Sequence, residues 1–260
     1  MNTKRTILSE KELNLIEDII AKYSVIVTFE QIYSILKKKM SRQSVRNLTN
    51  KLARNGWLVR IKKGIYSIAS LEARGFLATP SFKIAQILVK DSYISFEAAL
   101  QYHGMFDQML KTIASISLKR YQIKEVHGTN YKFIRAKKGL FFGWEEKRVE
   151  NYFVKVATPE KAILDMLSFK RNVYTVDLVL EKLREYKHQL EFARLNKFSR
   201  KHSKAVQRIL GFLLDKVSLD SDYIYNLTKK DRGCSYMTKD SKKFDAKWRL
   251  YFHSNFGTLE

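Results

Sequence analysis

Apolar residues in the first 70 positions fall into three helical stripes followed by an alternating hairpin. Ser9 with Glu12 three residues later is a capping box, and Leu13, Ile16, Ile20 and Tyr23 recur at the spacing of one helix face. Thr28 with Gln31 repeats the signal ahead of Phe29, Ile32 and Leu36. Ser41 opens a third helix that runs to Arg54, with Val45, Leu48 and Leu52 on its apolar side and Gly56 placed to end it. Trp57 to Ile61, the turn Lys62-Lys63-Gly64 and Ile65 to Ile68 then read as a short hairpin with lysines at its tip.

The stretch from Ala69 to Thr79, small-residue and glycine-containing, marks a boundary, so the pattern predicts one domain over 1–78 and a larger one over 79–260. In the second, helical spacing occupies 81–90 and 95–103, and strand-like segments follow at 112–118, 130–135, 140–142 and 150–156. Thr158-Pro159-Glu160 is a helix start, with proline at the first helical position and an acid in the first turn. Helical periodicity continues from about Asp177 to Asp215. Helices, an antiparallel sheet and more helices make the expected class α+β.

Charge changes the picture more than composition does. The chain of 260 residues carries 49 Lys and Arg against 26 Asp and Glu, a formal net charge of +23. An excess of that size predicts a polyanionic partner, the usual ones being nucleic acid and anionic membrane; no run of about 18 apolar residues exists to span a bilayer, and the partner expected is nucleic acid with no membrane. The polar start MNTKRTILSEKELN has no apolar signal region, and the single cysteine, Cys234, can neither close an internal disulfide nor build a zinc site unaided. A cytoplasmic protein is expected. Between Glu30 and Glu72 there is no acid at all, yet ten bases lie there. A charge run is ordinarily a solvated face, but one so uncompensated repels itself unless a partner uses it.

Three helices and a basic-tipped hairpin, in that order, predict a winged helix-turn-helix. The third helix presents Ser41, Arg42, Gln43, Arg46, Asn47, Asn50, Lys51 and Arg54 away from its apolar side, and the wing adds Arg60, Lys62 and Lys63. Amide side chains pair bidentately with adenine, arginine with guanine, and lysine with phosphate. Gln43, Asn47 and Asn50 are therefore expected to read bases, while Arg46, Lys51, Lys62 and Lys63 hold the backbone. The plainer explanation is a small helical domain with one polar face in water.

Four motifs carry a family resemblance: Gly56-Trp-Leu-Val-Arg-Ile-Lys-Lys-Gly-Ile-Tyr66, Ser95-Phe-Glu-Ala-Ala-Leu-Gln-Tyr-His-Gly104, Val156-Ala-Thr-Pro-Glu-Lys-Ala-Ile-Leu-Asp165 and Gln207-Arg-Ile-Leu-Gly-Phe-Leu-Leu-Asp215. Their order resembles that of the AbiEi antitoxins of type IV toxin–antitoxin systems over residues 10 to 215, with a weaker echo at Asp245-Ala-Lys-Trp248. The resemblance implies a winged helix that represses its own operon by binding promoter repeats in double-stranded DNA; because one such module covers only about 600–1,000 Å², a homodimer or monomers binding cooperatively are expected. It also implies a second domain that opposes a nucleotidyltransferase toxin without a stable complex. This chain departs in its very basic second half and in the residues beyond Asp215.

A second basic row lies in the larger domain. Arg194, Lys197, Lys201, Lys204 and Arg208 are spaced 3, 4, 3 and 4 apart, which aligns them on one face of an unbroken helix beside Leu195, Phe198, Ala205, Ile209 and Phe212. A cap at Ser199 or Ser203 would instead start a new helix and break the row. If intact, it would touch a polyanion, either flanking DNA or an RNA.

No catalytic residue, metal ligand or cofactor is expected. The five histidines show no metal spacing, and His103-Gly104 reads as a helix end. Glu160 and Asp165 sit roughly 140° apart on a helix and share no face, so their segment reads as a capped helix docked on the sheet. The alternative class is a DNA-targeted, metal-dependent nuclease behind a winged helix, resting on the acid-x-Lys triplets Asp245-Ala-Lys247 and Glu145-Glu-Lys147, which are weak alone.

Overall fold

The structure is a computed structural model that describes residues 8–69 and 79–253. The expected boundary at 70–78 lies outside the described residues. The chain forms two compact units, 1–90 with 123–131 and 148–153, and 91–122 with 132–147 and 154–260.

In the first unit, α1 (Glu10–Tyr23), β1 (Ile26–Thr28), α2 (Phe29–Leu36), α3 (Arg42–Arg54), β2 (Leu58–Lys62) and β3 (Ile65–Ile68) form a winged helix, completed by α4 (Ser81–Leu88). Both capping boxes form: the Ser9 N–H donates to Glu12 at 3.0 Å and the Thr28 N–H to Gln31 at 2.8 Å. Gly64 turns the hairpin at φ +75°, a conformation that only glycine adopts without strain. One strand escaped the pattern. β1 is only three residues long, too short for alternation to show, yet it pairs with β3 and puts Val27 opposite Tyr66 in a sheet ordered β1-β3-β2.

The buried face of α1 also differs from the expected one. Leu15, Ile16 and Ile19 enter the core, while Leu13 and Ile20 stay 37% and 39% exposed. Both stripes satisfy helical spacing, and only the placement of α2 and β1 chooses between them. The core collects these side chains with Ile32, Val45, Leu52, Trp57, Leu58 and Ile68. The first unit extends past residue 78 because α4 packs on the wing: Ser67 and Thr79 share a buried hydrogen bond of 2.8 Å, and Lys62 Nζ donates to the Ile87 carbonyl at the end of α4.

The second unit is α+β. A six-stranded sheet, with β5 and β4 wholly in this unit, runs β6 (Lys124–Val126), β7 (Thr129–Arg135), β5 (Thr112–Ser117), β4 (Ser92–Ile94), β9 (Tyr152–Ala157), β8 (Trp144–Val149). Pairing is antiparallel where β4 meets β5 and β6 meets β7, and parallel where β4 meets β9. The expected strand at 140–142 is instead the end of a 3₁₀ turn (Lys138–Leu140), where Phe141 and Phe142 leave the sheet to pack inward.

Around the sheet lie α5 (Phe96–Tyr102), α6 (Pro159–Phe169), α7 (Val173–Glu185), α8 (Phe192–Ser199), α9 (Lys204–Lys216) and α10 (Asp222–Thr228). Capped by Thr158 and meeting Tyr93 of β4 through Asp165, α6 is also a central helix touching α5, α7, α8 and α9, and every residue from Glu160 to Leu167 is buried. A helix covered on all sides must hide its polar positions with partners. Strands β10 (Ser235–Tyr236), β11 (Lys243–Asp245) and β12 (Leu250–Phe252) form a separate small sheet, ordered β10-β12-β11.

Candidate nucleic-acid interface

Helix α3 is positioned from beneath. Val45, Thr49 and Leu52 are buried, and the Thr49 hydroxyl donates back to the Val45 carbonyl at 2.8 Å, so a polar residue sits in the core satisfied. The opposite side therefore faces out, and Gln43, Arg46, Asn47, Asn50 and Arg54 are all exposed. Ser41 caps the helix, accepting from the Ser44 N–H at 3.2 Å.

The candidate residues separate into two groups. Asn47, Asn50 and Arg54 lie around one shallow hollow with Arg60 and Tyr66 of the hairpin, so helix and wing present amide and guanidinium groups together. Gln43 donates to Asn47 at 3.0 Å, which holds the two amides side by side. Nearer the helix start, Arg42 pairs with Glu30 and lies over Phe29 and Tyr33, at 5.4 and 5.1 Å from the ring centres, and Arg46 lies 5.8 Å over Phe29. These aromatic rests restrain both guanidiniums, since arginine stacks well on rings.

Two lysines are less available than the sequence implies. Lys51 pairs with Glu12 at 2.9 Å, and the Ser9 N–H followed by Lys51 holds the Glu12 carboxyl below its usual range. Lys62 is exposed, but its ammonium is engaged on the Ile87 carbonyl. Lys63, at the tip, stays exposed.

The second basic row does not form as one face. Helix α8 ends at Ser199, and Ser203 caps α9, accepting from the Val206 N–H at 3.4 Å. The break separates Arg194 and Lys197 from Lys204 and Arg208, and leaves Lys201 in the turn. Arg208 is only 2% exposed; its guanidinium donates to Ser235 Oγ at 3.1 Å and to the Asp231 carbonyl at 2.8 Å. Arg194 pairs with Glu191 and lies 3.5 Å from Glu160, Lys204 donates to the Leu227 carbonyl at 2.6 Å, and Lys201 sits 4.2 Å over Phe142. Most of the row joins elements of its own unit together.

Sequence reasoning missed a buried polar cluster on α6. Lys161 and Asp165, one turn apart and fully buried, form an ion pair, and Asp165 also accepts from Ser95 at 2.7 Å and Tyr93 at 3.1 Å. Burial pushes the Asp165 carboxyl up and the Lys161 ammonium down, each partly restored by the other. The i,i+4 spacing was the available signal. Glu160, on another face, accepts from the Glu191 N–H at 2.9 Å. His103 does end α5, followed by Gly104 at φ +72°, and its ring contacts the Ala157 carbonyl at 2.9 Å.

The acid-x-Lys triplets serve local structure. Asp245 accepts from the Trp248 N–H at 2.9 Å, Lys247 pairs with Asp215, and Glu145 pairs with Lys147 at 2.6 Å. Among the described residues no three His, Cys, Asp or Glu side chains gather where they could hold a metal ion, and no helix is long and apolar enough to cross a membrane.

No family model matches the chain, and no curated protein matches it. Among solved structures it is similar to the RV2827C protein from Mycobacterium tuberculosis, with 14% identity and a TM-score of 0.69 over 96% of this chain and 94% of that one. At that identity the likeness is one of fold.

Proposed function

We propose that the protein is a sequence-specific DNA-binding repressor, which autoregulates a type IV toxin–antitoxin operon and acts as its antitoxin. The observation that supports the reading is the exposed face of α3: Asn47, Asn50 and Arg54 surround one hollow with Arg60 of the wing, in a stretch without acids. The antitoxin part rests on the AbiEi resemblance of the four motifs alone.

In this reading Gln43, Asn47, Asn50 and Arg54 reach base edges, while Arg46 and Lys63 lie along phosphates. A single winged helix buries only about 600–1,000 Å² on DNA, so two copies on repeated half-sites are needed for tight, specific binding.

The test is binding to the protein's own promoter region and to random duplex over a salt series, with stoichiometry read at saturation. Asn47→Ala should cost about 1–3 kcal/mol on promoter DNA and little on random duplex. Lys63→Ala should weaken both alike and lower the salt slope by about one. Identical profiles for the two variants, or saturation at one chain per promoter, would overturn the reading.

A further inference from the structure

The small sheet of the second unit has two unlike faces. Inward, Leu250 is fully buried and Phe252 lies against Phe212 of α9, their ring centres 5.0 Å apart. Outward, the register sets Tyr236, Tyr251 and Phe244 abreast on three neighbouring strands, with Tyr251 directly opposite both of the others. Tyr236 and Tyr251 stack, 4.7 Å apart and within 11° of parallel, and Phe244 leans on the far side of Tyr251 at 4.9 Å.

The row is open at both ends. Tyr236 is 53% and Phe244 47% exposed although each has one ring face covered by Tyr251, so the outer ring faces meet water. The inward face docks the sheet on α9, and the three rings pair across its short strands while leaving their outer faces open.

The setting of the row specifies a partner. Residues 229–253 carry eight lysines and arginines against three acids, and Lys242 and Arg249 are exposed beside Phe244 and Tyr251. Two of the acids are already committed, Asp231 to Arg208 and Asp245 to the Trp248 N–H. Flat π faces flanked by uncompensated cations fit unpaired bases on a phosphodiester chain, whereas a duplex keeps its base faces stacked inside and a protein surface offers no such alternation.

We infer that the outer face of this sheet is a stacking site for single-stranded RNA, the bases extending the Tyr236–Tyr251–Phe244 row and the phosphates lying along Lys242 and Arg249. The site is independent of the winged helix and stands whether or not the promoter reading does.

The experiment uses the full chain and fluorescein-labelled A12 RNA, A12 DNA and a 20-base-pair duplex in anisotropy titrations. Tyr236→Ala with Phe244→Ala should weaken A12 RNA by about tenfold or more, since stacking on aromatics contributes about 1–3 kcal/mol per base. The salt slope should stay constant, because no charge is removed. Tyr236→Phe should bind as the parent does. Lys242→Glu should lower the slope. Duplex binding should not respond to any of the aromatic variants, and circular dichroism should report an unchanged fold.

Equal losses on RNA and duplex, or no loss on RNA, would overturn the inference. Tighter binding of A12 DNA than of A12 RNA would overturn the assignment to RNA. A drop in the oligomeric state of the double variant by light scattering would reassign the face to self-association. Asn47→Ala tests the winged helix separately and should leave A12 RNA binding unchanged.

Discussion

Two stretches of this chain look alike as sequence and end up unlike as structure. Residues 41–54 and 194–208 each place several lysines and arginines at helical spacing beside an apolar stripe. In the first, one helix stays unbroken, and its cationic side turns to water and to the wing. In the second, the helix stops at Ser199 and restarts after Ser203, and the bases are drawn into contacts with Glu160, Asp231, Ser235 and the Leu227 carbonyl. Periodicity tells which side chains share a face only while the helix lasts. A cap between them resets the phase.

The sharpest way to break the comparison is to truncate one arginine from each region. Arg208→Ala removes a buried guanidinium and leaves Ser235 and the Asp231 carbonyl short of a donor, so it should lower unfolding free energy by about 3–5 kcal/mol in a urea melt. Arg54→Ala touches an exposed side chain and should stay within about 0.5 kcal/mol in the same melt. If both variants melt alike, the second row is as superficial as the first.

Acid should separate the regions next. His202 sits in the turn between α8 and α9, its Nδ1 against Ser168 Oγ at 2.7 Å, and burial, with the Lys161 charge behind it, pushes its pKa down to about 3. The folded state then holds the ring neutral while the unfolded chain takes up a proton near pH 6.5. Stability from this group is complete above pH 6.5 and is lost as pH falls towards 3. The slope approaches about 1.4 kcal/mol per pH unit, or about 2 kcal/mol between pH 6.5 and 5. Hydrogen exchange should show residues 192–216 opening first on acidification, and His202→Gln should flatten the dependence. Equal acid sensitivity in α3 would contradict a local origin.

The smallest effect is expected at Lys197, which is exposed on α8. Lys197→Glu should change stability by less than about 0.5 kcal/mol and leave the salt slope of duplex binding unaltered, where Lys63→Ala lowers it by about one. A matching drop for Lys197→Glu would make the two regions equivalent after all.

What the sequence made legible divides along the same line. Capping boxes at Ser9 and Thr28, the cap at Ser41 and the glycine turn at Gly64 are local chemistry, and each appears where its residues lie. The exposed amides of α3 followed from the same local pattern. The phase of α1, by contrast, depends on what packs against it, and Leu13 and Ile20 lost that contest to Leu15 and Ile19. The Lys161–Asp165 pair was hidden because burial of α6 on every side comes from four other helices, a property of tertiary packing rather than of its own eight central residues. Likewise the aromatic row on the small sheet exists only through pairing of three strands too short to show alternation.

Trp248 packs on α9 so closely that a methyl group at Gly211 would come within 2.1 Å of its indole, while Nε1 donates to Asp215 at 2.7 Å. This lid reaches its seat late. Synthesis delivers α9 to the ribosome exit well before the strands that cover it, so the face carrying Gly211 and Phe212 emerges bare and apolar. Until residue 248 arrives, that apolar face lacks this cover, and the pace of translation across the intervening segment sets how long the exposure lasts.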